Sequence, residues 1–395
     1  MARENIVIVG AGLAGAVLAR RIAEETDHNC TVFDQREHAA GNCYTERDTR
    51  TNIMIHKYGP HIFHTNFKEV WDFVNRFTKF GQYFHVVIAN TSKGIYSLPI
   101  NLLTINQFFK KSFNPSEAKQ FIEELQDKSI KNPKNFEEQA LRFIGRELYD
   151  AFFYGYTKKQ WGVDPQEISA SVIERLPIRF TYDVFYFLNS KFQGIPLEGY
   201  TRMVQNIFDH PRIEVKLNEK VDPQIKDDYK YLFWSGTLDE FFNFRFGRLG
   251  YRTVYWDELY QKDVYQGTSQ MNYTDYSVPF TRIIEPKFFT PWEDHKETIL
   301  MVEYSKQTET NDIPYYPLRL QKDKEILAKY KTLARTIENV SFLGRLGTYK
   351  YLDMDKVIYE TLKFSEKVIE VLQNRSGKIP TFSDDNYLLG DLPPS

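Results

Sequence analysis

The chain has 395 residues, with 51 Lys or Arg against 53 Asp or Glu, so its formal net charge at pH 7 is −2. This balance gives no indication of nucleic acid as a partner, and 2 cysteines are too few for a disulfide framework. The length accommodates two or three domains. Aromatic residues make up 16% of the chain, and the surplus of tyrosine favours a site that stacks rings and offers hydroxyl groups.

The N-terminal segment has the pattern of a strand, a glycine-rich turn, a helix and a second strand. One short apolar run precedes the sequence GAGLAG at 10–15. A second apolar run follows the predicted helix and is followed by Asp34. Gly10 permits the tight turn, Gly12 lets the backbone approach a pyrophosphate, and Gly15 lets the helix pack on the sheet. An acid at the position of Asp34 can accept hydrogen bonds from a ribose. The pattern predicts dinucleotide binding at the N-terminus of the helix.

The segment after this pattern is predicted to lie beside the bound nucleotide. A turn at Gly41 and Asn42 comes first, and the sequence YGPHIFHT at 58–65 then leads into a predicted helix. His61 and His64 have a spacing found in metal sites, but no acid or cysteine completes a ligand set, so no metal is predicted.

The middle of the chain predicts a helical insertion. Two short strands are predicted within 82–98, whereas residues 104–175 lack strand patterning. Pro115 begins one predicted helix, and apolar residues at helical spacing predict another from about Asn135. The sequence GYTKKQWG follows at 155–162. We interpret it as a mobile loop that forms a lid or a nucleobase platform, because a solvated loop seldom contains tryptophan.

The second half of the chain is mostly β until its end. A turn at 194–200 precedes a predicted helix, and the runs at 213–217 and 229–234 are predicted to return to the nucleotide sheet. Residues 240–316 predict an antiparallel sheet, with a helix from about Lys322 to Ala334.

The C-terminal part predicts a second nucleotide-facing helix. A strand ends at Gly344, and a helix begins near Asp353. Its N-terminus carries a positive partial charge that suits the electron-rich edge of a flavin. Two such helix ends, one near each end of the chain, favour FAD over NAD.

These elements predict an α/β protein: a Rossmann-like FAD-binding parallel sheet with an inserted helical domain and an antiparallel β-sheet substrate domain. The predicted FAD-binding domain comprises residues 1–80, 192–240 and 335–385. The predicted helical insertion is 100–175 with a lid at 155–165, and the predicted substrate domain comprises 81–99, 176–191 and 241–334. The longest apolar stretch, Ile6 to Ala19, is too short for a membrane span, and no leader pattern is seen, so a cytoplasmic protein without an integral membrane segment is expected.

Motifs along almost the whole chain resemble those of bacterial UDP-galactopyranose mutases. These motifs are GAGLAG, YGPHIFHT, SLPIN, FEEQALRFIG, GYTKKQWG, RLPIRF, KFQG, RFGRLGYRT, TRIIE, NDIPYYP and GRLGTYKYLDMD. The resemblance implies a flavin-dependent isomerase that interconverts UDP-galactopyranose and UDP-galactofuranose without net redox change. It implies that N5 of reduced FAD attacks the anomeric carbon, with NAD(P)H or another reductant as the electron source. A homodimer is also expected.

The resemblance also implies roles for individual residues. Arg175 and Arg282 would grip the diphosphate as catalytic residues, together with His61 and His64 beside the flavin. The implied substrate-binding residues are His85, Phe152, Phe153, Tyr156, Thr157, Trp161, Tyr186, Asn272, Arg282, Tyr316 and Tyr351. The implied FAD-binding residues are Gly10, Gly12, Leu13, Gly15, Asp34, Gly41, Asn42, His61, Val221, Arg345, Tyr351, Asp353 and Met354.

The chain departs from the family pattern at two positions: the first affects the fit of FAD without preventing its binding, and the second leaves the sugar open. Ala40 stands where the family usually has glycine, and the alanine side chain adds only a methyl group. His85 stands where a close bacterial relative has asparagine near the sugar. A related nucleotide sugar, such as UDP-GalNAc or a dTDP-6-deoxyhexose, therefore remains an alternative. An amine-oxidase-like FAD oxidoreductase is a further alternative, although it gives no reason for the diphosphate arginines.

Overall fold

The computed structural model describes residues 6–170, 178–223, 229–318 and 320–385. Its strands are β1 (Ile6–Val9), β2 (Cys30–Phe33), β3 (Thr45–Arg47), β4 (Met54–His56), β5 (Phe63–Thr65), β6 (Phe80–Gly81), β7 (Val87–Thr91), β8 (Gly94–Leu98), β9 (Phe192–Pro196), β10 (Ile213–Lys216), β11 (Tyr231–Trp234), β12 (Tyr251–Gln261), β13 (Gln270–Tyr273), β14 (Arg282–Ile284), β15 (Thr298–Gln307), β16 (Tyr316–Pro317) and β17 (Val340–Phe342). Its α-helices are α1 (Leu13–Glu25), α2 (Lys68–Asn75), α3 (Leu102–Phe109), α4 (Pro115–Leu125), α5 (Phe136–Tyr149), α6 (Gly155–Trp161), α7 (Gly199–Phe208), α8 (Leu238–Phe241), α9 (Gln321–Ala334), α10 (Gly344–Thr348) and α11 (Met354–Asn374).

A parallel sheet of five strands forms the nucleotide-binding part, in the order β10–β2–β1–β11–β17. The central strand β1 pairs with β2 and β11, so that Val9 lies opposite both Phe33 and Trp234. Helices α1, α7 and α11 pack on one face, while Val7 packs on the other face with Tyr330 of α9. Burial on both faces explains why β1 is a continuous Ile and Val run. The Rossmann-like prediction is confirmed, and so is the return of β10 and β11 to this sheet.

A second sheet of seven strands carries the predicted antiparallel region, in the order β16–β12–β15–β14–β13–β7–β8. Strands β12 and β15 pair antiparallel along their lengths, from Arg252 opposite Gln307 to Gln261 opposite Thr298. The predicted hairpin β7–β8 joins this sheet through a parallel pairing of β7 with β13. Residues far apart in sequence therefore meet on one sheet.

Helices α3 to α6 lie in the predicted insertion and share a hydrophobic core with residues of the β7–β8 hairpin, such as Tyr96. The Asn114 side chain accepts from the backbone N–H groups of Ser116 and Glu117, which caps α4 one residue before Pro115. Asn135 caps α5 in the same way. These caps explain why both predicted helix starts agree with the structure.

Helix α6 occupies Gly155–Trp161, so the prediction of a loop there was wrong. A π-helical stretch at Asp150–Tyr154 continues α5 into α6. Gly162 ends α6 with a positive φ of 67°, and its N–H donates to Lys158 O at 2.9 Å. Gly155 packs so tightly that a Cβ there would lie 2.3 Å from Thr274 O. Gly155 thus permits close packing and Gly162 caps the C-terminus of α6, so neither glycine indicates a loop. The mobility of this segment stays a prediction.

Two other predicted turns contain strand residues. Gly194 lies within β9, which pairs with β5 and β6 in a small antiparallel sheet, and only Gly199 begins the expected helix α7. A Cβ at Gly194 would lie 2.5 Å from Gly81 O, so the glycine permits close strand approach instead of a turn. The sequence YGPHIFHT likewise ends in β5.

The predicted domain limits stay predictions. One observation bears on them: α9, which falls within 241–334, packs through Tyr330 and Ala334 in the same cluster as Val7 of the nucleotide sheet. Within the described ranges, every helix is too short or too polar to cross a lipid bilayer.

Candidate active site

A cleft of about 200 Å³ opens at the carboxyl ends of β1 and β2, and we call it the cofactor cleft. The predicted cofactor residues that line it are Gly10, Gly12, Leu13, Asp34, Gly41, Asn42, His61, Val221, Arg345 and Met354. Three predicted cofactor residues lie elsewhere: Gly15 packs beneath the turn, and Tyr351 and Asp353 line a second cleft. Most of the predicted cofactor set is therefore brought together.

The N-terminus of α1 faces the cofactor cleft without a side-chain cap. Gly12 is the residue before the helix, and glycine has no side chain with which to cap the first turn. Gly41 approaches from the other side, so that a Cβ on Gly41 would lie 3.2 Å from the Cα of Gly12. The first N–H groups of a helix lack intrahelical partners, and the dipole makes this end positive. A pyrophosphate fits this position.

Asp34 fixes the turn as well as facing the cleft. Its Oδ2 accepts from the Ala11 N–H at 2.8 Å, and its Oδ1 accepts from the Arg36 N–H at 2.9 Å. A carboxylate has about four acceptor positions, so acceptor capacity remains for a ribose hydroxyl.

Gly15 shows why the glycine motif has its spacing. A Cβ on Gly15 would lie 2.0 Å from Gly10 O, which leaves no room for any side chain between α1 and β1. Gly10 itself has a φ of 108°, a conformation that side chains rarely adopt.

Two buried guanidinium atoms in the cofactor cleft lack a hydrogen-bond partner among the described residues. Arg36 donates from Nη2 to Asn42 Oδ1 at 2.9 Å, whereas its Nη1 is buried and no described residue offers it an acceptor. Arg345 donates to Tyr315 O at 3.0 Å, whereas its Nε is buried without an acceptor in the described ranges. Buried donors are nearly always satisfied, so both atoms call for an acceptor from a ligand. An elongated anionic dinucleotide such as FAD fits this donor set.

A second cleft of about 560 Å³ adjoins the first, and we call it the substrate cleft. The two clefts share His61, Arg345, Leu352 and Met354. The predicted residues that line the substrate cleft are His61, His64, His85, Trp161, Tyr186, Arg282, Arg345, Tyr316, Tyr351, Asp353 and Met354. Arg282 and Tyr316 come from the seven-stranded sheet, and Trp161 comes from the insertion. Arg345 and Met354 come from α10 and α11, so the cleft is built from parts that are far apart in sequence.

Arg282 is held by a buried carboxylate. Its Nη2 donates to Glu303 Oε2 at 2.6 Å, and Gln270 Oε1 lies 3.5 Å from its Nη1. Burial opposes the charge of this arginine, but the Glu303 carboxylate raises the pKa of Arg282 above its ordinary value. Arg282 therefore presents a permanent positive charge to the cleft.

Three histidines of the substrate cleft are neutral. Burial lowers the pKa of His61 and of His64 to about 4 and that of His85 to about 3. The Nδ1 of His61 lies 2.7 Å from Gly59 O, which can only accept, so Nδ1 carries the proton and Nε2 is an acceptor. The His64 ring stacks on Phe187 with a centroid distance of 3.7 Å.

Two tyrosines and an arginine form an adjacent wall. The rings of Tyr316 and Tyr351 stack with centroids 5.7 Å apart. The Cζ of Arg345 lies 5.4 Å from the Tyr316 ring and 5.2 Å from the Tyr351 ring. Tyr186 lines the same cleft from another segment. Arg179 holds the main chain of that segment by donating a hydrogen bond to Tyr186 O at 3.0 Å.

Five predicted substrate residues do not line the cleft. Phe152 is buried in the core of the insertion against Tyr96 and Phe108, and Phe153 also packs there. Thr157 is buried, and Asn272 accepts from Gln270 Nε2 at 2.9 Å. Tyr156 is half-buried, and burial raises the pKa of its phenol while nearby Arg282 opposes that shift. Their roles stay predictions.

The predicted residue Arg175 lies outside the described residues. Sequence reasoning missed two side chains: Arg36, which lines the cofactor cleft, and Glu303, which accepts a hydrogen bond from Arg282. Arg179 and Asp355, from two segments that the sequence singled out, line the substrate cleft. Asp355 is 3% exposed, and burial together with Asp353 raises its pKa to about 6. Arg36 stands two residues after Asp34, so its position was a usable signal. Glu303 lies within an apolar strand and gave no signal.

Comparisons with known proteins agree with this geometry. The sequence profile of the family described as UDP-galactopyranose mutase matches residues 151–351, and that of an NAD(P)-binding Rossmann-like domain matches residues 8–77. The chain is 48% identical over 383 residues to a probable UDP-galactopyranose mutase of Klebsiella pneumoniae, covering 97% of this chain and 99% of that protein. It is 47% identical over 373 residues to a dTDP-fucopyranose mutase of Escherichia coli, covering 93% and 98%.

The fold is shared with a solved structure. A reduced UDP-galactopyranose mutase superposes with a TM-score of 0.71, covering 96% of each chain at 16% sequence identity. The profile match and the identity to the Klebsiella protein together show that the chain belongs to the UDP-galactopyranose mutase family of isomerases.

Proposed function

We propose that this protein interconverts UDP-galactopyranose and UDP-galactofuranose with bound reduced FAD and without net redox change. The observation that carries the proposal is the meeting of the two clefts at His61, Arg345 and Met354, with Arg282 lining the second cleft. A cofactor in the first cleft would end where a nucleotide sugar in the second cleft begins. Reduced FAD, when bound, supplies the nucleophile for the anomeric carbon and is regenerated at the end of the cycle.

The arginines and tyrosines of the substrate cleft would hold the diphosphate. When the bond between the anomeric carbon and the diphosphate oxygen breaks, negative charge develops on the leaving diphosphate. Arg282 keeps its charge inside a buried site, where electrostatic stabilisation is stronger than in water. Arg345, Tyr316 and Tyr351 lie together on the adjacent wall. Arg175 is proposed as a second diphosphate arginine.

The neutral histidines would orient groups rather than bind phosphate. Because His61 is uncharged and its Nε2 is an acceptor, it can accept a hydrogen bond at the junction of the two clefts. Trp161 also lines the substrate cleft and would stack on the nucleobase. This arrangement separates a base platform, a diphosphate clamp and a sugar-reacting centre.

An anaerobic assay tests the proposal. Purified protein should contain FAD, should be inert when oxidised, and after dithionite reduction should convert UDP-galactofuranose to UDP-galactopyranose as measured by chromatography. The flavin spectrum should be the same before and after turnover. Reduced, FAD-loaded protein that converts no nucleotide furanose would contradict the proposal. In a separate aerobic assay, oxygen consumption by the oxidised protein in the presence of the nucleotide sugar would instead indicate an oxidoreductase.

A second candidate substrate is dTDP-fucopyranose, favoured by the 47% identity to the Escherichia coli protein of that name. The same ring contraction would apply, because fucose differs from galactose at C6 and not at the reacting C1 and O4. A panel of UDP-galactose, UDP-GalNAc and dTDP-fucose furanoses ranks the candidates by kcat/KM. The homodimer, the cytoplasmic location and NAD(P)H as the reductant stay predictions.

A further inference from the structure

Lys159 makes an unusual set of contacts between α6 and the large sheet. Its ammonium group donates to three main-chain carbonyls: Tyr273 O at 2.7 Å, Phe280 O at 2.8 Å and Asp275 O at 2.9 Å. An ammonium group has three donors, so all of its hydrogen-bonding capacity is used. These carbonyls belong to the end of β13 and to the connection that leads into β14.

The environment of Lys159 disfavours any looser arrangement. Burial lowers the pKa of Lys159 to about 8, with the carboxylate of Asp275 opposing that shift. The carbonyl groups replace the water that the charged form would otherwise bind. A side chain without the ammonium group would leave these three carbonyls without this donor.

Other contacts reinforce the same seam. Thr274 Oγ1 donates to Ala151 O at 2.7 Å, and the close contact of Gly155 with Thr274 lies beside it. At the far end of α6, Arg252 Nε donates to Gln160 O at 3.0 Å. The insertion is thus fastened to the sheet along the length of α6.

The two elements joined by Lys159 carry different parts of the substrate cleft. Trp161 lies two residues beyond Lys159 on α6, and Arg282 lies two residues beyond Phe280 at the start of β14. Both side chains line the substrate cleft. Neither is contacted by the Lys159 ammonium, so any effect of Lys159 on binding acts through the backbone that it holds.

We propose that Lys159 is a positioning residue that keeps the nucleobase platform on α6 and the diphosphate arginine on β14 at a fixed separation. The proposal rests on the proposed function of these two groups. A ligand that spans both gains from their pre-organisation, whereas a ligand that touches only one does not. The expected signature is a loss specific to ligands that contain both base and diphosphate.

The test compares Lys159→Met with the wild-type holoenzyme. We expect the Kd of UDP by calorimetry, and the KM of the nucleotide sugar, to rise about tenfold, which corresponds to about 1.4 kcal/mol. Inhibition constants for uridine alone and for inorganic pyrophosphate alone should stay within about twofold, as should kcat and the FAD content. Lys119→Met, at an exposed position of α4, is the matched control and should change none of these values.

Each other outcome has a defined meaning. An unchanged Kd of UDP would overturn the proposal, and so would an equal loss for uridine alone, because Lys159 would then only shape the base platform. If Lys159→Met does not fold, Thr274→Val removes one neutral hydrogen bond of the same seam and should raise the Kd of UDP about threefold with the fragments unaffected. Wild-type protein that binds UDP without turnover would contradict the proposed function but not this inference. Wild-type protein that binds no UDP would contradict both.

Discussion

Arg282 and Glu303 lie directly opposite each other on β14 and β15, and their side chains form a buried ion pair at 2.6 Å. The Glu303 side chain is 0% exposed, and the Arg282 side chain is 14% exposed. Thr281 Oγ1 donates to the second Glu303 oxygen at 2.7 Å, which completes the support of the carboxylate. The pair keeps a charged arginine in a site from which water is mostly excluded.

Removing the carboxylate should destabilise the protein. Glu303→Gln leaves the Arg282 charge buried without compensation, and breaking such a pair costs about 3 kcal/mol. Denaturant unfolding of the FAD-loaded protein measures this loss. Glu309→Gln, at an exposed position of the turn after β15, is the control and should change the free energy of unfolding by less than about 0.5 kcal/mol. Equal stability of the two variants would show that the pair is not important for the fold.

Removing the arginine should strongly reduce turnover while FAD stays bound. Arg282→Ala leaves the Glu303 carboxylate facing the diphosphate, so binding loses an attraction and meets a repulsion. We expect kcat/KM to fall by about 10²-fold or more. The absorbance of the flavin reports FAD content, because Arg282 does not line the cofactor cleft. Near-wild-type turnover would remove Arg282 from the diphosphate clamp.

Acid should destabilise the fold through its buried histidines. Between pH 6.5 and about 5 the unfolded chain binds protons that the folded chain excludes, so stability falls as pH falls, by about 1 kcal/mol per pH unit for each histidine. Unfolding by urea at several pH values measures the slope, and His85→Gln should reduce it. A slope that is the same in the variant would show that His85 does not titrate as proposed. The histidines concerned, whose pKa values burial lowers to about 3 or 4, are His56, His61, His64 and His85.

Two glycine substitutions should separate cofactor binding from folding. A Cβ on Gly12 would meet its nearest protein atom at 3.8 Å, an ordinary contact, so Gly12→Ala should fold normally. Its methyl group would occupy the space where a pyrophosphate approaches, and the Kd of FAD should rise about tenfold or more. Calorimetric titration of the apoprotein with FAD measures this change.

Gly15→Ala should instead weaken the fold itself. A Cβ there would lie 2.0 Å from Gly10 O, so α1 must move away from β1, at a cost of about 2 kcal/mol. Thermal unfolding of the apoprotein distinguishes the two variants. If Gly12→Ala lowered the apoprotein Tm as much as Gly15→Ala, the turn would be a packing motif and not a pyrophosphate site.

Local patterns predicted the regular elements well where side chains act on their own backbone. Asn114 and Asn135 cap the helices that follow them, and the apolar run of β1 forms the predicted strand. The errors occurred where glycine serves tertiary packing. Gly155 lies in a helix and Gly194 in a strand. Each position needs glycine because another chain segment approaches too closely for a side chain, and no neighbour in sequence reveals that approach.

The sequence by itself determined the dinucleotide motif, the chain order of the elements and the family, because these depend on short-range spacing and residue type. Only the tertiary structure decided which charges meet. Glu303 became the partner of Arg282, and Lys159 became the link between α6 and the connection from β13 to β14. Strand register and helix docking bring together groups that lie 21 to 121 residues apart. The cleft thus depends on long-range contacts, whereas its cofactor motif depends on local ones.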